Sequence, residues 1–414
     1  MDEALFRFAE EEQRAYREQR DLSRYRAAGA EDMLDDYSDH GEHHVAEVME
    51  QCALLWEALR PWLLAQGCTS PAAWQRSHLL LGAKYHDIGM RGSEARRALL
   101  RETDLLLARR PEPAELRALA ERARQAGIDC RAARELGEMG RRSLLKSNWA
   151  RLGADLHEEI KQQIRRRHAL ESGEWIAGRR SELLERYGAD TDVAAVALLA
   201  ALHSGRFQGA ERVVLGDDAD GRAVAGFMRD FVQAHFPGEA LSEARRREVV
   251  CLAALLRLAD TRRSGSRMYA IDGARLRFQE EGGRLRAVRD YGDRQREIAG
   301  PVSHGILLGE LAAEFGGVRL EKRDGGWLLT HEVTLRHAED PGVREAFFTG
   351  RQESYLNELR TGMLDPRYGV VHRFRIHLEG LSAGEADQVA AGWNLRVAKS
   401  GWTPAQTRFE AAGG

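Results

Sequence analysis

Long apolar segments with helical spacing dominate the first 270 residues, and they lead into histidines and aspartates. Apolar residues recur every three or four positions in HVAEVMEQCALLWEALRPWLLAQG, WQRSHLLLGAKYH, DVAAVALLAALH and RREVVCLAALLRLAD. Glycines or prolines separate these segments, as helix ends require. The second segment runs into the pair His86-Asp87, and the fourth ends at Asp260. The pattern predicts a bundle of buried helices with strong polar groups at their ends, where a buried aspartate needs a partner.

Composition narrows the class of protein. A chain of 414 residues is long enough for two or three domains with a sizeable core. The formal net charge of -3 argues against a chain that binds nucleic acid or membranes by bulk electrostatics. Four cysteines without a CxxC pair argue against a disulfide scaffold or a zinc ribbon. The start resembles no signal peptide and the apolar windows are too short to cross a bilayer, so we expect a cytoplasmic protein without a membrane partner.

The hydrophobic period changes near residue 269. ARLRFQEEGGRLRAV and VRLEKRDGGWLL alternate apolar and polar residues around glycine turns, which is typical of hairpins, and VHRFRIHLEG alternates again. The segments HGILLGELAAEF and AGEADQVAAGW between them have helical spacing. We expect the last dozen residues to lack regular structure.

These patterns predict a mainly α protein with a smaller C-terminal α+β domain. Residues 1–268 would form the helical domain, and residues 269–414 an accessory domain. An arginine-rich stretch at about 91–157 is only mildly amphipathic, and we interpret it as inserted helices that lie over the core.

Polar side chains near the helix ends are the candidate metal ligands. In chain order they are four histidines and two aspartates: His44, His86, Asp87, His168, His203 and Asp260. Imidazole and carboxylate donors suit Mn, Fe, Zn or Mg and leave positions open for water and substrate. If the helix ends converge, six ligands suffice for two metals with an aspartate between them. Such a pair of cations can activate water and neutralise charge on a phosphoryl group.

Each candidate ligand has an alternative role that involves no metal. His40 and His44 would share one helix face, and the spacing to the apolar helix favours His44 as the ligand. His40 is then expected to orient the loop or to hydrogen-bond a ligand. His168 and His203 can instead cap carbonyls at helix ends. For the two aspartates, the alternative is a buried salt bridge.

Basic residues lie beside the expected ligands. We expect four of them to bind substrate phosphate through charge-assisted hydrogen bonds: Lys84, Arg167, Arg206 and Arg263. The alternative is a solvated helix face, or an ion pair with an acidic neighbour.

Five segments together resemble the HD-domain metal-dependent phosphohydrolases, which are named for a histidine-aspartate pair. They are YSDHGEHHVAEV, GAKYHDIGM, IRRRHALESGEWI, ALHSG and LLRLADTRR, within about residues 37–268. They look most like the HD-CE type found in bacterial conflict and defence proteins. Close relatives of that type often continue the last motif as LADALDID, whereas this chain continues it as LADTRRSGSRM. This departure affects what can be inferred about the substrate and leaves the ligand Asp260 in place.

The resemblance implies an all-helical bundle and a role for each motif. His44, His86, Asp87 and Asp260 would be the primary ligands, whereas His168 and His203 would complete a second site. One or two divalent ions per chain are implied (Mn, Fe, Co, Zn or Mg), with hydrolysis of nucleotides or other phosphate esters.

We therefore expect a phosphohydrolase or phosphodiesterase in which Asp87, His168 and His40 take part in catalysis, and His168 or His40 carries the proton if it is not a metal ligand. Two other classes stay open: a di-iron oxygenase of the binuclear HD type, and a non-catalytic regulatory or binding protein of a bacterial defence system. We expect the C-terminal domain to shape substrate access or to mediate assembly, as a homo-oligomer or with a partner protein.

Overall fold

The computed structural model describes residues 3–22, 41–109, 112–128, 131–138, 146–204, 206–207, 211–212, 219–262, 274–282, 284–297, 301–352, 356, 359, 363–403 and 405–412. The first part of the chain is helical apart from two short strands. Its helices are α1 (Glu3–Phe6), α2 (Glu10–Leu22), α3 (Glu42–Ala65), α4 (Ala72–Tyr85), α5 (Glu94–Ala108), α6 (Pro113–Gln125), α7 (Arg131–Glu138), α8 (Lys146–Gly178), α9 (Arg180–Tyr187), α10 (Val193–Leu202), α11 (Ala219–His235) and α12 (Glu243–Asp260). A 3-10 turn, Ile88–Arg91, follows α4, and strands β1 (Arg206–Phe207) and β2 (Glu211–Arg212) pair antiparallel.

Helix α10 is the centre of the bundle. All ten of its residues are buried, which a helix that is apolar on every side requires. The Asp192 side chain caps its start by accepting a hydrogen bond from the Ala195 amide at 2.9 Å. Glycines allow neighbouring helices to approach: a Cβ on Gly82 of α4 would lie 2.8 Å from Leu199 Cβ, and one on Gly173 of α8 would lie 2.8 Å from the Ala197 carbonyl oxygen.

The region around residues 91–157 has an apolar core of its own. Leucine, alanine and isoleucine side chains of α5, α6 and α7 and of the first half of α8 form a cluster separate from the main core. Helix α8 has 33 residues, and its second half packs in the main core beside α10. One helix is therefore shared by two apolar clusters.

The C-terminal part contains two sheets and several helices. The elements are β3 (Arg275–Glu281), β4 (Arg284–Asp290), β5 (Gln295–Glu297), α13 (Pro301–Ala312), β6 (Ala313–Arg323), β7 (Gly326–Leu335), α14 (Pro341–Ala346), β8 (Val370–Leu378), α15 (Ala383–Lys399) and β9 (Thr407–Ala411). Strands β3, β4 and β5 form an antiparallel sheet. In the second sheet, of order β6-β7-β8-β9, the first pair is antiparallel and the other two are parallel.

The main apolar core runs from the helical bundle into this second sheet. The buried Arg262, just after α12, joins the two parts: it donates to Gln51 Oε1 at 2.9 Å and to the Gly316 carbonyl at 2.6 Å. The mainly α class with a smaller α+β region is confirmed. Residue 268, the expected domain boundary, lies outside the described residues, so the boundary stays a prediction.

Three strand predictions are confirmed and two local ones are wrong. The hairpins β3-β4 and β6-β7 and the alternating strand β8 form as predicted. The last dozen residues were expected to lack regular structure, but Thr407–Ala411 pairs with β8 and buries Phe409. In HGILLGELAAEF the helix ends at Ala312, and β6 begins at Ala313. Among the described residues, no helix combines the length and the apolar character needed to cross a membrane.

Candidate metal centre

The structure brings all six predicted ligands together at one end of the bundle. His86 and His203 are the C-caps of α4 and α10, and Asp260 is the last residue of α12. His44 lies in the first turn of α3, and His168 lies along α8. Three helices therefore direct their C-termini at the cluster. The partial negative charge of a helix C-terminus stabilises a cation.

The first group of side chains consists of His44, His86 and Asp260, whose ligand atoms all lie within 4.8 Å of one another. Asp260 Oδ1 is 3.1 Å from His44 Nε2 and 3.6 Å from His86 Nε2. The two imidazoles are buried, whereas the Asp260 side chain is 28% exposed. Solvent therefore contacts part of the Asp260 side chain, although the Oδ1 that faces the imidazoles is buried.

The second group contains His86, Asp87 and His203, again with ligand atoms within 4.8 Å. His168 adjoins it, because His168 Nε2 lies 2.9 Å from His203 Nε2 and 3.3 Å from Asp87 Oδ1. The His168 side chain is 16% exposed, whereas those of Asp87 and His203 are buried.

Asp87 lies between two pairs of imidazoles and directs one oxygen to each. Its Oδ2 is 3.5 Å from His44 Nε2 and 3.4 Å from His86 Nε2. Its Oδ1 is 3.3 Å from His168 Nε2 and 3.5 Å from His203 Nε2. A carboxylate arranged in this way can bridge two cations. We name the two halves site A (His44, His86, Asp260 and Asp87 Oδ2) and site B (His168, His203 and Asp87 Oδ1).

The spacing of these atoms fits a shared cation. Metal–ligand bonds to nitrogen and oxygen are about 2.0–2.2 Å long, so two ligands at 90–110° around one metal lie about 3.0–3.4 Å apart. The nitrogen-to-oxygen distances in both sites are 3.1–3.6 Å. A normal side-chain hydrogen bond would be shorter than most of these.

Backbone contacts fix the tautomer of three rings. His86 Nδ1 lies 2.6 Å from the Ala83 carbonyl and His203 Nδ1 lies 2.6 Å from the Ala200 carbonyl. His168 Nδ1 contacts the Arg165 carbonyl in the same way. A carbonyl only accepts, so each Nδ1 carries the hydrogen. In a neutral ring, Nε2 then presents a lone pair to the cluster.

These inward lone pairs require positive charge between them. The facing Nε2 atoms of His168 and His203 are 2.9 Å apart, beside an oxygen of Asp87. His86 Nε2 is buried and makes no hydrogen bond among the described residues. Protons or metal cations can supply the missing charge, and the donor set of imidazoles and carboxylates fits divalent transition metals.

The pKa values of His86 and Asp260 reflect the attraction between the imidazoles and the carboxylates. Burial alone would lower the pKa of His86, but the carboxylates of Asp87 and Asp260 outweigh burial and raise that pKa to about 9. Burial opposes ionisation of Asp260, yet the adjacent imidazoles of His44 and His86 hold its pKa well below the usual range. The carboxylates thus make the cluster attract cations.

Lys84 does not face the cluster. Its ammonium group is fully buried 3.3 Å from Glu12 Oε2, and it donates to the Arg7 carbonyl at 2.7 Å and to the Tyr187 hydroxyl at 2.9 Å. The contact of Lys84 with substrate stays a prediction without structural support, because these three partners belong to the amino-terminal segment or to α9. Lys84 instead anchors that segment to the bundle.

The other predicted substrate-binding and proton-carrying groups stay predictions. Arg167, one residue before His168, has a side chain 36% exposed, with Nε 3.4 Å from Glu171 Oε1. Its contact with phosphate stays a prediction. The backbone of Arg206 lies in β1, but the description does not extend to its side chain. His40 and Arg263 lie outside the described residues.

Ser172 was missed by the sequence analysis. It is fully buried on α8, and its hydroxyl contacts the backbone on both sides of Asp87. The available signal was its position four residues after His168, which puts both side chains on one face of the helix. Tyr16 also lies near the centre: burial raises its pKa first, and the charges of Glu12 and Asp87 raise it further.

Comparison of the chain with protein-family models, with curated proteins and with solved structures finds no match.

Proposed function

We propose that the protein is a metal-dependent phosphohydrolase of the HD type whose centre holds two divalent cations bridged by Asp87. The observation that carries this proposal is the division of the Asp87 carboxylate, with Oδ2 beside His44 and His86 and Oδ1 beside His168 and His203. A carboxylate in a simple buried salt bridge would need one cationic partner. Four imidazoles around two oxygens match two metals sharing one ligand.

The residues of site A and site B would hold one cation each. A bound pair of divalent cations supplies an activated water and neutralises the charge that develops on a phosphoryl group. The protein's own contribution is positional. Carbonyl contacts at Nδ1 orient His86, His168 and His203, and burial of Asp87 keeps bulk water from competing for its oxygens.

Substrate would approach from the exposed rim of the centre. Asp260 and His168 are the ligands with the largest exposed fractions, 28% and 16%. A group on this rim can exchange a proton with substrate or solvent. Arg167 lies next to His168 and is suited to a phosphate oxygen. Nucleotides and other phosphate esters are the substrate classes we propose.

The same donors also suit iron, and a di-iron oxygenase is the second candidate. Four imidazoles and two carboxylates do not by themselves select Mn over Fe. Phosphate release without consumption of dioxygen supports the hydrolase, whereas dioxygen consumption with bound iron supports the oxygenase.

The test joins metal content to a substrate screen. The purified protein is analysed for metals, stripped with a chelator, reloaded with Mn, Co or Mg, and assayed for hydrolysis of mononucleotides, cyclic nucleotides and short oligonucleotides. We expect the wild type to bind two metals per chain and to hydrolyse a phosphate ester. The Asp87→Ala substitution should abolish this hydrolysis. Asp190→Ala, at an exposed aspartate in the same bundle, is the matched control and should keep the two metals and the hydrolytic activity. A metal-loaded protein that hydrolyses none of these, or an Asp87→Ala variant with full activity, would contradict the proposal.

A further inference from the structure

A single buried hydroxyl joins the two halves of the metal centre. Ser172 Oγ donates to the His86 carbonyl at 2.5 Å and accepts from the Gly89 amide at 2.8 Å. Its side chain lies on α8 and is fully buried. One hydroxyl thus uses its donor and an acceptor lone pair to hold both ends of the turn that contains Asp87.

The turn lies directly against the backbone of α8. A Cβ on Gly89 would lie 2.1 Å from the His168 carbonyl oxygen and 2.6 Å from the Ser172 amide nitrogen. Only glycine permits this approach without a shift of backbone. The ligands of the two sites are therefore fixed relative to each other by a backbone contact and by the Ser172 hydroxyl.

The Ser172 hydroxyl bonds outside its own helix. Serine in a helix interior is less favourable than alanine, and a serine hydroxyl there often bonds to the carbonyl four residues earlier. The Ser172 hydroxyl instead bonds across to another segment. The contact between α8 and the turn is the feature that explains a serine here.

We infer that Ser172 is a positioning residue that sets the distance between site A and site B. The inference rests on the two-cation centre of the proposed function. The His86 carbonyl that Ser172 holds belongs to a ligand of site A, and His168, one turn earlier on the same helix, belongs to site B. Without the hydroxyl, Asp87 Oδ1 is no longer held 3.3 Å from His168 Nε2. Site B, which shares Asp87 with site A, should lose affinity first.

The experiment is a manganese titration of the full-length, chelator-treated protein. Metal content after dialysis gives the stoichiometry, and electron paramagnetic resonance separates coupled Mn(II) pairs from single ions. In Ser172→Ala and in Gly89→Ala, we expect the first Mn(II) to bind as in the wild type. The second should bind roughly 10- to 100-fold more weakly, the usual effect of losing a group that orients a ligand. The signal of coupled pairs should decrease accordingly.

Matched controls separate positioning from general damage. Ser77→Ala removes a serine hydroxyl that bonds within its own helix, to the Trp74 carbonyl at 3.0 Å. Gly178→Ala adds a Cβ on α8 that meets nothing within 4 Å. Both should bind two Mn(II) with wild-type affinity. Ser172→Cys keeps the shape with a weaker donor, so its loss of affinity for the second Mn(II) should be intermediate.

The outcomes distinguish the inference from the proposed function. Unchanged affinity for both Mn(II) ions in Ser172→Ala, or equal weakening of both together with a lower melting temperature, overturns the inference and leaves the two-cation hydrolase standing. Selective loss of the second Mn(II) from a protein that hydrolyses no phosphate ester supports the inference while the proposed function fails. A wild-type protein that takes up at most one Mn(II) overturns both.

Discussion

Replacing Asp87 with asparagine tests whether its two oxygens serve two cations. The carboxylate has an oxygen for each site, at 3.3–3.5 Å from the four imidazole nitrogens. An asparagine amide has nearly the same shape, but it offers one oxygen and one NH₂ group that cannot bind a metal. Asp87→Asn should therefore keep one cation per chain where the wild type keeps two.

The expected magnitude follows from linkage. A ligand at 100 times its Kd stabilises the folded state by about 2.7 kcal/mol, so two occupied sites contribute about 5 kcal/mol. For a chain of this size, about 2 °C per kcal/mol gives an increase in Tm of roughly 10 °C when metal is added. With one site lost, Asp87→Asn should show about half of that increase.

The assay is thermal unfolding of the chelator-treated protein with and without Mn(II), combined with elemental analysis of dialysed samples. Asp190→Asn, at an exposed position, is the control and should behave as the wild type. Two tightly held metals and a full increase in Tm in Asp87→Asn would refute the bridging role.

Three further predictions concern the scaffold. Lys84→Met breaks the buried pair with Glu12, which should lower the free energy of unfolding in urea by about 3 kcal/mol while the metal content stays unchanged. Loss of metal at unchanged stability would instead indicate that Lys84 belongs to the metal centre. The buried His372 has its pKa lowered to about 4, primarily by burial, and it lies 3.0 Å from His331. Since the unfolded chain takes up this proton near pH 6.5, the free energy of unfolding should fall by up to about 3 kcal/mol between pH 6.5 and 4. His372→Gln should remove that part of the pH dependence. A variant whose stability changes with pH as in the wild type would contradict this role of His372. Asp192→Ala removes the cap of α10 and should cost about 1 kcal/mol, measured by the urea midpoint, and no change would mean that the cap is replaced.

The bundle and the convergence of its polar ends could be predicted because both follow from local patterns. Apolar spacing identifies α4, α10 and α12, and a histidine or aspartate at the end of a buried helix needs a partner at the same end of the bundle. The structure adds the distances that turn this expectation into two sites. The division of the Asp87 oxygens depends on how four helices pack, which no local pattern contains.

Two differences between the structure and the sequence predictions have physical causes as well. Strand β9 pairs in parallel with β8 across the intervening helix α15, so its structure depends on a long-range pairing that its short sequence does not indicate. Lys84 lies close to the expected ligands in sequence, but a helical residue three positions before Asp87 need not share its environment. The amino-terminal segment supplied the partner, Glu12, that the sequence could not assign.

The sharing of α8 between two apolar clusters connects the cluster of α5, α6 and α7 to the candidate metal centre. At about 1.5 Å per residue the helix is roughly 50 Å long, and a rigid rod of that length passes on displacement along its axis. His168 is carried by this rod, whereas His44, His86 and Asp260 belong to helices anchored in the main bundle alone. Because Ser172 and the close contact of Gly89 also hold the turn of Asp87 against α8, a displacement of α5, α6 and α7 along this helix would reach Asp87 as well as His168.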